Sequence, residues 1–199
     1  MMVFRWTWLG LAVLVLGAAG PPPADPDWPC VQRLVPNLTA STLWGGHEAA
    51  GDWRTHPRVA EVVAAVAPRA VSAQDGAIRL DQFVATVPVL DRPTEFALVF
   101  AGLVDEINAQ RAQIIDRLRG IARRQRGITE TTSRITAELR ALPADAPTAQ
   151  REEVVGRRAF LVREYEEIEH TIRYACEVPV QMEAKLGILA QALQRGLAQ

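Results

Sequence analysis

A chain of 199 residues, 49% hydrophobic and 23% charged, has the composition of a folded protein and excludes an intrinsically disordered one. A formal net charge of -1 removes any global attraction to nucleic acid or to an anionic membrane surface. Among 22 basic residues Lys185 is the lone lysine, a bias that with the abundant alanine points to a GC-rich bacterial genome.

The first element is an export signal. Arg5 gives a positive start, Trp8 to Leu16 an apolar stretch, and Gly17 to Gly20 small residues for cleavage, expected after Ala19. The apolar run is about a dozen residues, short of the roughly 20 that span a bilayer, so a membrane role follows only if the signal is retained as an anchor. Residues 1–19 are thus assigned to the signal and 20–27 to a proline-rich, extended linker. Export to the periplasm makes a disulfide between the two cysteines, Cys30 and Cys176, the economical reading. With no Cys-x-x-Cys motif, neither a redox-active pair nor a haem attachment site is expected.

Residues 28–90 form an N-terminal segment that is irregular at first, broken by Pro36, Gly45, Gly46 and Gly51. It carries Trp28, Trp44 and Trp53, which either pin it to a helical scaffold or line a ligand pocket. Two short helices follow. One is capped by Thr55 and stopped by Pro68; the other starts near Asp75-Gly76 and ends at Pro88.

Residues 91–199 form the main element. Phe100, Ile107, Ile114, Ile121, Ile128, Ile135 and Leu142 recur every seven residues. Val104, Arg111, Leu118, Gln125, Thr132 and Leu139 occupy the second position of the same seam. Such a repeat predicts one helix of about 75 Å from Asp91 to Leu142. After the short turn at residues 143–147, with Asp145 as the expected cap, Val154, Leu161, Ile168, Ala175, Met182 and Leu189 form a second seam. A connection this short makes the two helices antiparallel neighbours, with Ile121 facing Ile172 and Ile107 facing Leu186. The expected fold is therefore all-α: a long antiparallel coiled-coil hairpin with two short N-terminal helices and the tryptophan-bearing segment packed on it.

Two constellations stand out on this frame. Arg117, Arg119, Arg123, Arg124 and Arg126 form a docking face for an acidic partner, or a solvated face opposite Glu164, Glu166, Glu167 and Glu169. Pro179 lies inside the second helix and must kink it near Cys176, so Trp28, Tyr174, Glu177 and Pro179 define a second candidate surface for a partner or ligand. Leu103, Ile115 and Phe160 are apolar yet off the seam, and need cover from the N-terminal helices, a second copy or a partner.

Catalytic and cofactor signatures are missing. Asp75-Gly76 resembles half a calcium loop, but Val71, Ala73 and Gln82 stand where carboxylates are required. His47, His56 and His170 have no ligand spacing, so no metal or other cofactor is expected. The reading is a non-enzymatic, exported structural or adaptor protein that presents its hairpin to an unknown protein partner or to itself, with no nucleic acid. The alternative is a small-molecule binding module built from Trp28, Trp44, Trp53 and the Pro179 kink.

Overall fold

A computed structural model describes residues 25–199, and all regular secondary structure among them is helical. The expected signal at residues 1–19, and linker residues 20–24, lie outside the described part. The helices are α1 (Ala40–Leu43), α2 (Pro57–Val66), α3 (Ala73–Thr86), α4 (Arg92–Ala141), α5 (Thr148–Ala175) and α6 (Glu177–Leu197), with a 3-10 turn at Trp53–Thr55 before α2.

Pro57 opens α2 at its first position, where its missing N–H costs nothing. His56 stands at the N-cap, so the helix starts one residue later than a Thr55 cap implies. Ser72 is the cap that the sequence reading missed: its hydroxyl accepts from the Asp75 backbone N–H (3.0 Å) and starts α3 before Asp75-Gly76. The α4 boundaries fall where expected, with Asp91 and Leu142 as the flanking residues. Asp145 does not cap α5; the flanking residue is Pro147, and no side chain bonds the first turn.

Helices α2, α3, the first third of α4 and α6 enclose the main core. Val59, Val63 and Val66 of α2, Leu80 and Val84 of α3, Phe96, Phe100, Leu103 and Ile107 of α4, and Leu186, Leu189 and Leu193 of α6 are all buried in it. The helices approach closely at Gly102, where a Cβ would sit 2.7 Å from Val63 Cγ2 and 2.9 Å from the Trp53 ring. Only a glycine admits both neighbours there.

Beyond the core, α4 continues beside α5, with the start of the N-terminal segment laid against it as far as Arg126. Ile121 joins one apolar cluster with Ile172, and Ile107 shares the main core with Leu186. Further out, Arg157 pairs with Glu138 (2.6 Å) and Arg158 donates to Thr136 (3.2 Å). The segment from Arg119 to Ala141 thus forms a projecting arm of about 35 Å with α5. Leu103 and Ile115 are 0% and 3% exposed, covered by the N-terminal segment and helices. Phe160 on the arm is 59% exposed and has no such cover.

Candidate functional site

The bend sits at Cys176. Pro179 lacks the N–H that would reach the Ala175 carbonyl, and the returning helix divides there into α5 and α6. Cys176 is bonded to Cys30, with Cα atoms 5.6 Å apart and a sequence separation of 146. The N-terminal segment therefore crosses the hairpin as a strap at its elbow. Trp28 and Cys30 pack on the cluster of Leu118, Ile172 and Cys176. Inside the strap, the Trp28 indole N–H donates to the Gln32 carbonyl (2.7 Å), and Gln32 Nε2 donates to the Cys176 carbonyl.

Arg111 locks the underside of the elbow. It is 2% exposed, and its guanidinium donates to the Pro179 carbonyl and to the Val35 carbonyl (2.7 Å). One buried cation thus ties α4 to the kink and to the strap. Arg111 is the charged residue of the half-polar seam position, and charge-assisted bonds to backbone carbonyls explain its burial there. Three residues earlier on α4, Asn108 clamps the strap a second time. Its Oδ1 accepts from the Leu38 N–H (2.8 Å) while its Nδ2 donates to the Leu38 carbonyl (2.9 Å), a pairing that sequence alone did not signal.

The arginine face has a different counterpart from the expected one. Only Arg124 pairs with a glutamate of α5, Glu164. Arg119 binds Asp25 (2.8 Å), Arg123 binds Asp27 (2.9 Å), and Arg126 binds the second oxygen of Asp27 and the Pro26 carbonyl (3.0 Å). Residues 25–27, expected to be extended linker, therefore form a turn fastened to α4, because two carboxylates meet three guanidinium groups spaced along one helix face. The Asp27 backbone N–H and then Arg119 hold the Asp25 carboxyl below its ordinary value, and Arg123 and then Arg126 do so for Asp27. Arg117 makes no ion pair among the described residues.

The three tryptophans do not come together. Trp28 lies at the elbow. Trp44 stacks on Phe100 (ring centroids 4.8 Å apart, 13° between planes), and Trp53 is buried at Gly102 with its N–H on Asp105 Oδ2 (2.9 Å). Each pins a different length of the irregular segment to α4. Around the kink, Trp28, Arg111, Pro179 and Glu183 line a cleft of about 90 Å³, well below the roughly 300–1,000 Å³ of ordinary ligand sites. Tyr174 is 74% exposed and Glu177 is exposed, so both face outward beside the elbow.

The arm's exposed surface is mostly charged, with a few uncovered apolar side chains. Phe160 and Leu161 border a shallow groove of about 410 Å³ with Ile135, Gly156 and Arg157, and Val162 and Tyr165 border another of about 270 Å³ with Thr129 and Thr132. Val155 is exposed as well. Among the described residues no three His, Cys, Asp or Glu side chains converge as a metal site, and no helix is long and apolar enough to cross a membrane. Comparison of the chain with protein-family models, with curated proteins and with solved structures finds no match.

Proposed function

We propose that this is an exported, non-enzymatic adaptor whose bundle is a base and whose α4–α5 arm, a left-handed antiparallel coiled coil, is presented to a protein partner. One observation carries the reading. Of the three off-seam apolar residues, the fold covers Leu103 and Ile115 and leaves Phe160 open, at the edge of a shallow groove with Ile135 and Leu161. A long side chain kept apolar on a thin two-helix arm, with nothing of its own chain to bury it, marks an interaction surface. The strap and the disulfide give the arm a fixed angle to its base. A disulfide closing so long a stretch of chain supports the oxidising periplasm, and with it cleavage of the signal near Ala19.

Apolar-dye binding and sedimentation of the purified protein test the surface. The expected result is dye binding or a concentration-dependent mass that Phe160→Glu removes. A dye-silent monomer at high micromolar concentration would count heavily against it. Non-reducing peptide mapping tests the compartment: a linked Cys30–Cys176 peptide pair on a chain starting near Gly20 is expected, and free thiols on an uncut chain would reverse that assignment. The small-molecule reading on Trp28, Trp44, Trp53 and Pro179 has less support, since the tryptophans are apart and the kink cleft is small.

A further inference from the structure

Between the α2–α3 turn, α4 and α6 lies an open cleft of about 360 Å³, within the range of small-ligand sites. Its apolar wall is formed by Val71, Ile107 and Met182. Its polar side holds two cations, Arg69 and Lys185, and no carboxylate. Lys185, the one lysine of the chain, is buried, and its Nζ donates to the carbonyls of Ala67 (3.3 Å), Pro68 (2.8 Å) and Val71 (2.8 Å).

Those three bonds use all the protons of the ammonium, but carbonyl dipoles do not cancel a unit charge. Neither Lys185 nor Arg69 has an ion-pair partner among the described residues. Burial accordingly pushes the Lys185 ammonium below its ordinary value. The turn is held in shape without any ligand: Gln110 accepts from the Arg69 backbone N–H (3.0 Å) and donates to the Ala67 carbonyl (3.3 Å). The result is a preformed cleft with an apolar wall and an unbalanced positive charge.

We propose that this cleft binds a small amphipathic carboxylate. The apolar body lies on Val71, Ile107 and Met182, and the carboxylate sits between the Arg69 guanidinium, which can grip it with two parallel N–H donors, and Lys185, which acts as a fixed charge. A phosphate-rich ligand fits less well, because most of the wall is apolar and would strand its charge away from water. A neutral apolar ligand would leave both cations unanswered.

The test uses three probes of equal chain length, octanoate, octan-1-ol and octylamine, titrated into the full mature protein and followed by methyl and amide NMR. Octanoate is expected to bind at least tenfold more tightly than either other probe, with the largest shifts at Val71, Ile107 and Met182. Arg69 is exposed and its side chain makes no bond among the described residues, so Arg69→Glu folds normally; it is expected to weaken octanoate at least tenfold. Lys185→Met weakens it too, at the cost of some stability. Equal binding of the three probes, no binding, shifts centred on Phe160 instead, or octanoate affinity unchanged in Arg69→Glu would each overturn the proposal.

Discussion

Replacing both Cys30 and Cys176 by alanine removes the only covalent link between the strap and the elbow. The bond closes a stretch of 146 residues in sequence, so its loss frees the unfolded chain by about 5 kcal/mol in the chain-entropy account, an upper figure. Engineered and native disulfides return less than that bound, and a net loss of about 2–5 kcal/mol is expected. For a protein of this size each kcal/mol moves the melting temperature by about 2–4 °C, giving a fall of about 5–20 °C. The loss should not spread evenly. Leu38 stays clamped by Asn108, and the main core contains neither cysteine. Amide hydrogen exchange should therefore accelerate in residues 28–35 while the Leu38 amide and α6 remain protected. Thermal unfolding by circular dichroism, with exchange read by mass spectrometry, gives both numbers on the double variant. An unchanged melting temperature, or uniform loss of protection through α2, α3 and α6, would refute the idea that the strap is a local brace tied to an independent core.

Arg111→Leu strands the Pro179 and Val35 carbonyls, and with about 1–3 kcal/mol for each unsatisfied group urea unfolding should report a loss of about 2–6 kcal/mol. Gly127 lies inside α4 with nothing near its missing Cβ, so Gly127→Ala should stabilise by about 0.8–1 kcal/mol, raising the urea midpoint without changing its slope. Asp25 and Asp27 titrate below 3.8 in the folded protein, so their contribution is complete above that value and lost as pH falls through the folded values. Carboxyl NMR should show both depressed midpoints. Arg123→Ala should return Asp27 toward 3.8 with little change at Asp25.

The long repeat from Phe100 to Leu142 and its partner from Val154 to Leu189 carry the hairpin in plain view, because a seam buried every seven residues leaves a periodic trace. Pro179 likewise announced the break, and two lone cysteines announced their bond. The strap's other fastenings leave no such trace. Asn108 and Gln32 act through backbone carbonyls and amides 70 and 144 residues away, and a single polar side chain at a helix surface looks like any solvated residue. The arginine face was legible as charge, yet its partners were assigned to α5 because the hairpin register brings Glu164 to Glu169 alongside. Asp25 and Asp27 compete more effectively, since the disulfide at Cys30 has already brought that end of the strap to α4. Lys185 was visible as an oddity, one lysine among arginines, whereas Arg111 was one of three polar residues at a half-polar seam position. Only the fold shows what each holds.

The arm as the presented surface is tested most directly by site-specific photo-cross-linking in the native host, with a photoreactive phenylalanine at Phe160 and, as control, at the exposed Ile78 of the base. The account predicts a defined adduct, to a partner or to a second copy, from position 160 that is not formed from position 78. Adducts from position 78 alone, or from neither position, would contradict it.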